Sequence, residues 1–372
     1  MPTNPFHYET PADRRSFFDR DEILPGLKAF FHERGRRLLL VGRRRMGKTS
    51  LAINAAREAK AVMLFADLSK AANLNEVAKT LVGQIPAQEV KGNFERVLEV
   101  AGRFSKYVSL KGKFFVLEVT LVPKNATDDL TTLDQVLDFI NALSEETDSP
   151  FTVCLDEFQE IRTLGGDRAE WTLRGTIQHH RALNYVFLGS DHRLLGWMTE
   201  PRAAFYKQLQ VLSIGAIPPA IIASWIDKRT RDAGVTAALF GTAVAAAAGP
   251  CTGDVVRLAH ETFDQAAVGG KVDVADAMRR IALSELGVAF VLLWRALPLT
   301  QRAILRAIAA DRLPQARSTI HDYGLGGTSG ASRAIEGLYE RQLLTRDEAG
   351  RLVFDNPFFR LWVSANRPTE VG

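Results

Sequence analysis

Several features that would remove a chain from the ordinary globular class are scarce here. Only two cysteines occur in 372 residues. Cys154 and Cys251 lie in apolar or small-residue stretches, which gives neither a disulfide framework nor a metal-ligand spacing and suits a reducing cytosol. No apolar run is long enough to span a bilayer; the longest, Val235–Gly249, is alanine-rich and reads as a buried helix. Met1–Tyr8 has no basic n-region and no apolar h-region, so no secretory signal is expected. Charge of one sign is also scarce: 47 basic against 43 acidic residues leave +4, with a pI of about 9.1. Such a balance allows an anionic partner without demanding one. Aromatic residues are not depleted, which excludes wholesale disorder. No repeat, low-complexity segment or compositional linker is visible. The expectation is a cytoplasmic globular protein, unconnected with membranes and long enough for two or three domains.

What is present alternates. Leu38–Val41 is an apolar run ending at a glycine turn and reads as a buried strand. Lys48–Lys60 reads as a helix, Ala61–Ala66 as a second strand, and Asn73–Val82 as a helix stopped by Gly83. Tyr107–Leu110 and Phe114–Val122 flank Lys111-Gly112-Lys113 as a hairpin. Thr131–Glu146 has helical periodicity with a Thr/Asp start. Phe151–Leu155, Tyr185–Leu188 and Val211–Ile214 complete a set of strands. Strands alternating with helices predict an α/β protein with a parallel, doubly wound sheet. After Pro218-Pro219 only helices follow: Ala220–Ala233, Thr236–Ala248, Thr252–Ala267 and Val274–Leu286. Beyond them, helices at Thr300–Ala310, Ala316–Tyr323 and Ser329–Gln342 precede strands Leu343–Arg346 and Arg351–Asp355. Three helices and a hairpin outline a winged helix-turn-helix.

One motif carries chemistry. Gly42-Arg43-Arg44-Arg45-Met46-Gly47-Lys48-Thr49 satisfies G-x-x-x-x-G-K-[ST] at every fixed position, between an apolar strand and a helix. Glycines let the backbone curl so that successive N–H groups converge on phosphate oxygens. The helix beginning near Lys48 aims its positive end at the same anion. Lys48 supplies a point charge for the β- and γ-phosphates, the Thr49 hydroxyl is a Mg²⁺ ligand, and Ser50 can support the phosphates. The side chains of Arg43, Arg44 and Arg45 need not touch phosphate, since backbone amides do so. ATP with Mg²⁺ is the expected ligand.

Phe151–Leu155 delivers Asp156 and Glu157 to the sheet edge beside that loop. Carboxylates at a strand end are commonly solvated; next to a P-loop, Asp156 is read as holding the Mg²⁺ shell and Glu157 as accepting a proton from the attacking water. Ser190, ending the next strand, is a candidate hydrogen-bond partner of the γ-phosphate or the water; an ordinary turn is the alternative. Arg257 is a candidate lid cation, with a solvated helix arginine as the equal alternative. Arg202 as a finger acting on a neighbouring subunit is less favoured than a surface arginine, and Asp67 is read as a structural carboxylate. His179 and His180 point to different faces and make a poor metal pair.

The loop Gly42–Leu51 joined to Asp156-Glu157-Phe158-Gln159 resembles the archaeal-type ATPase family, a branch of the P-loop ATPases close to AAA+ and STAND proteins. Phe17–Leu24 is similar to that family's opening segment, which borders the adenine. Tyr107–Val122 resembles its hairpin insertion, Leu188-Gly189-Ser190 its sensor segment, and Asp355–Trp362 its closing motif. The resemblance implies an AAA+-like core over residues 1–218, an α-helical lid over 219–288 and a winged-helix domain over 289–372, with ATP hydrolysis driving a conformational switch. Two other classes stay open: a nucleotide-gated DNA-binding regulator with negligible turnover, and a protein-interaction signalling module. DNA contact through the winged helix, a protein partner and ATP-dependent self-association are all compatible with the sequence. The polar face of Ser329–Gln342 (Ser332, Arg333, Glu336, Glu340, Arg341) is of mixed charge, so DNA binding by this module alone is expected to be weak and salt-sensitive.

Overall fold

Apolar runs without alternation become strands covered on both faces. Leu38, Leu39 and Leu40 of β1 (Arg37–Val41) are buried, as is every residue of β5 (Phe151–Asp156) and β6 (Asn184–Gly189). With β2 (Val62–Asp67) and β7 (Gln210–Ser213) they form a five-stranded, all-parallel sheet in the order β2-β5-β6-β1-β7. The computed structural model describes residues 2–366, apart from 13–16, 19, 87–88, 90–91, 112–115, 120–125, 168, 190–197, 199, 236–238, 270–271 and 348.

The chain divides into two compact units, Pro11–Ala216 and Met1–Thr10 with Ile217–Gly372. The first holds the sheet and the helices Leu24–His32, Lys48–Glu58, Leu74–Gly83, Phe94–Arg103, Ala126–Thr147 and Ala169–Ile177. The expected helix after β2 begins one residue later than read, because Asn73 is its cap: its side chain accepts from the Glu76 N–H at 3.0 Å. The expected helix at Thr131 begins instead at Ala126. Thr131-Thr132-Leu133-Asp134 looked like a start signal, but Thr132 and Leu133 are wholly buried within the helix. The hairpin is present as antiparallel β3 (Val108–Lys111) and β4 (Val116–Val119), with Val108 opposite Val119; Gly112 and Lys113 of its turn lie outside the described residues.

The second unit is helical: Pro219–Asp232, Phe240–Ala248, Thr252–Gly269 and Val274–Arg279. The expected helix Val274–Leu286 changes to π-helical winding over Arg280–Glu285. Gly287–Arg295 follows as a helix that sequence periodicity did not isolate, since GVAFVLLW has too little polar contrast to show a face. Pro298 caps the next helix, Leu299–Ala309, and Arg317–Asp322 and Thr328–Glu340 follow. β8 (Leu344–Arg346) and β9 (Leu352–Phe354) pair antiparallel as the wing. The segment after the wing, read only as a closing motif, is the helix Pro357–Ala365, begun by an Asn356 side chain that accepts from the Phe359 N–H at 2.9 Å. Phe290, Trp294, Phe354, Phe359 and Trp362 pack in one aromatic cluster. The N-terminal segment belongs to this unit: Phe6 is wholly buried against Trp225, Phe240 and Phe263. Among the described residues no helix is long and apolar enough to cross a membrane.

A polar cluster lies at the starts of β1 and β6. His180 bridges Asp138 (2.9 Å) and the buried Tyr185 hydroxyl (2.6 Å). This leaves His180 structural and separate from His179, which contacts Gln178. Asp134 sits near these groups; burial raises its carboxyl to about 6, against a lowering hydrogen bond from Thr176, and nearby Asp138 adds to the rise. A carboxyl raised in the folded state contributes stability that is full below its unfolded value and lost as pH rises through about 6. Asp134→Asn is therefore expected to stabilise the fold above that pH, by on the order of 1–2 kcal/mol after solvent screening. The gain in thermal midpoint, roughly 2–4 °C per kcal/mol, should fade on acidification and vanish near pH ~3.8, the ordinary aspartate range. Thermal melts of both proteins across this range check it, and a gain that grows on acidification would contradict the assignment.

Candidate functional site

The end of β1 is where the chain must turn most sharply. Ile214 N–H donates to the Val41 carbonyl at 2.7 Å, so β7 closes against β1 just before the turn. At Gly42 there is no room for a side chain: an added Cβ would stand 2.9 Å from the Ile214 carbonyl oxygen. The turn ends at Gly47, whose φ of +85° favours glycine, and Leu51 N–H bonds the Gly47 carbonyl at 2.8 Å to open the helix Lys48–Glu58. Between the glycines, Arg45 holds φ at +131°, a conformation L residues rarely adopt. The curl expected of glycines alone is thus shared with an arginine. Met46 is buried, while the Arg44 and Arg45 side chains are exposed and Arg43 is half-buried.

Lys48, only 7% exposed, folds back so that its ammonium donates to the carbonyls of Gly42 (2.8 Å) and Arg43 (3.0 Å). Thr49 Oγ1 donates to Asp156 Oδ2 at 2.6 Å. Ser50 is oriented differently: its Oγ accepts from the Ala12 N–H at 2.9 Å, and Asn54 one turn on donates to the Ala12 carbonyl at 2.6 Å. Asp156 Oδ1 accepts from the Glu157 N–H at 2.9 Å. Burial raises the Asp156 carboxyl above the ordinary range, opposed by hydrogen bonds from Thr49 and Glu157 and reinforced by the neighbouring charges of Glu157 and Asp67. Glu157 turns out of the strand with φ +49° and ψ +49°, and Gln159 Nε2 donates to its carboxylate.

A desolvated carboxylate and a hydroxyl are hard oxygen donors of the kind Mg²⁺ takes, and a buried charge of this sort is complemented by a cation. Among the described residues no group of three or more His, Cys, Asp or Glu side chains is arranged to hold a metal.

Two solved structures share this architecture across nearly the whole chain. A Walker-type ATPase of Pyrococcus abyssi has 20% identity and a TM-score of 0.67, with 96% of this chain and 99% of that one covered. The Aeropyrum pernix ORC2 protein, solved with ADPNP and ADP, has 17% identity and a TM-score of 0.60, with 94% of each chain covered. The fold is that of the AAA+ ATPases. Residues 288–365 match the family described as "Probable winged helix domain", which accounts for the C-terminal helices and wing. No curated protein matches the sequence.

The remaining sequence candidates fall elsewhere. Ser190 lies outside the described residues. Arg257 is in the helical unit, paired with Glu285 at 2.6 Å and stacked over the Tyr8 ring at 5.0 Å. Asp67 accepts from the N–H and hydroxyl of Ser69 and pairs with Lys70, as a structural carboxylate does. Arg202 is exposed. Sequence reasoning placed Arg20 only within the segment Phe17–Leu24 that resembles an adenine border and gave its side chain no role; its guanidinium reaches the Met46 carbonyl in the loop at 3.2 Å. The two residues are 26 positions apart and share no periodicity, so no local signal joins them.

Because backbone atoms crowd Gly42, Gly42→Ala must displace the loop. If the loop is a phosphate cradle, a displacement costing about 1–3 kcal/mol is expected to weaken ATP binding there about tenfold. Titration with a fluorescent ATP analogue measures this; unchanged affinity would show that the loop does not form the nucleotide site.

Proposed function

We propose that the protein binds ATP with magnesium through Gly42–Ser50 and hydrolyses the terminal phosphoanhydride bond. The observation that carries this reading is the 2.6 Å contact between Thr49 Oγ1 and Asp156 Oδ2 at the head of the loop helix. The loop amides and the helix N-terminus receive the β- and γ-phosphates, and the Lys48 ammonium exchanges loop carbonyls for phosphate oxygens. Thr49 and Asp156 would hold the magnesium ion, which when bound neutralises charge on the triphosphate. Glu157 orients a water and takes its proton as the water oxygen bonds to the γ-phosphorus. The bond from that phosphorus to the bridging oxygen breaks, its electron pair stays on ADP, and inorganic phosphate leaves. Gln159, bonded to the Glu157 carboxylate, fixes the direction in which that base points. Turnover then serves as a switch whose state the helical unit, with its lid segment and winged helix, reports.

Lys48→Ala should abolish measurable ATP binding. Glu157→Gln should slow hydrolysis by about 100-fold or more, the usual contribution of a positioned base, with ATP affinity little changed. Single-turnover hydrolysis and equilibrium binding on the same samples separate the two effects. Full turnover in the Glu157 variant would remove it from the chemistry.

A second reading, in which turnover is linked to DNA, is favoured by the exposed arginines of the winged helix. Arg312, Arg317, Arg333 and Arg341 are exposed on or beside its second and third helices. The wing arginines are engaged internally: Arg346 donates to the Gly350 carbonyl and lies over Tyr339, and Arg351 pairs with Asp347. Four phosphate contacts give a log K against log salt slope of about −3 to −4. Duplex binding measured between low and physiological salt checks the number. A much steeper slope would mean that other surfaces bind the duplex, and no binding at low salt would leave the winged helix as a protein-docking module.

A further inference from the structure

We infer that Arg20 is a positioning residue of the phosphate cradle, holding the Met46 carbonyl so that the Gly47 N–H faces the nucleotide; this rests on the ATP-binding reading. In a trans peptide the C=O and N–H point in opposite directions, and the protein contains no cis bond among its described residues. Whatever holds the Met46 oxygen therefore aims the Gly47 N–H the other way. Gly47 cannot fix that plane by its own sterics, because glycine accepts either sign of φ. A group outside the loop has to supply the constraint.

Arg20 is built to supply it. Its side chain is 9% exposed, an unusual position for a cation, and its Nη2 donates to the Met46 carbonyl at 3.2 Å. Its backbone holds φ at +118°, a strained value for a residue with a side chain, and is fixed there from the other side. The Arg20 carbonyl accepts from the N–H groups of Ile23 (2.9 Å) and Leu24 (2.8 Å), at the head of the helix Leu24–His32. That helix packs directly on the loop helix Lys48–Glu58. The guanidinium thus acts from a platform rigidly attached to the element it positions. It complements Lys48, whose ammonium holds the carbonyls at the opposite end of the same loop.

The test measures ADP affinity without magnesium, by calorimetry, for the parent, Arg20→Ala and Arg20→Lys, with a nucleotide-free melt for each. Misdirecting one amide that faces phosphate is expected to weaken ADP binding about tenfold in Arg20→Ala. Arg20→Lys keeps a donor and should recover most of that loss, with a melting midpoint within about 3 °C of the parent. The lysine variant also carries the test if the alanine variant does not fold, since an ammonium of different reach should still cost a few-fold in affinity. Variants that bind ADP as the parent does overturn the inference and leave the ATP-binding reading intact. A lysine variant as weak as the alanine variant, with a midpoint lowered to match, overturns it in favour of a structural role. A parent with no affinity for ADP overturns the ATP-binding reading itself.

Discussion

A hydroxyl and a carboxylate 107 residues apart in the chain meet at 2.6 Å, and the site is organised around that contact. Asp156 ends a wholly buried strand, so its charge is carried out of water and its carboxyl is raised. Desolvation of this kind is tolerated where hydrogen bonds and a counter-charge can be supplied. Thr49 and the Glu157 N–H supply the hydrogen bonds. β6 lies between the strands that carry the two halves of the site, so the sheet order itself sets their separation.

Backbone strain gathers at the same place. Arg20, Arg45, Gly47 and Glu157 all have positive φ, and three of them are not glycine. Each such residue costs on the order of 1–3 kcal/mol. The cost is offset by the surrounding core, where Phe158, Phe187 and Phe205 pack against one another beneath the ends of β5 and β6. The strained residues aim polar groups while the apolar ones keep the frame from relaxing.

The N-terminal segment has a different part to play. Asn4, Phe6 and Tyr8 are held within the helical unit, by His260, Asp264, Phe263 and Arg257 among others. Four residues after Tyr8, Ala12 is bonded to Ser50 and Asn54 of the loop helix. The chain therefore passes from an anchor in one unit to an anchor in the other within a few residues, and its second anchor is on Ser50, the residue following Thr49. The Ser50 hydroxyl, a candidate phosphate support by sequence, also secures this passage by accepting from the Ala12 N–H.

Local chemistry alone determined a large part of this protein. The spacing of Gly42, Gly47, Lys48 and Thr49 between an apolar run and a helix matches a phosphate-loop pattern, and the structure shows the tight turn and helix start that this spacing predicts. Runs such as Phe151–Leu155 mark buried parallel strands, and the helices and hairpin after Pro298 mark the winged helix. What resisted reading had no local cause. The helix Gly287–Arg295 is apolar on too many sides to show a period, and Thr131-Thr132 imitates a cap until burial reveals it inside a longer helix. The support of the loop by Arg20, the turning of Ser50 toward Ala12 and the burial of Phe6 in the helical unit all join residues distant in sequence. Such contacts follow from which surfaces the folded chain brings together, and no residue pattern along the chain encodes them.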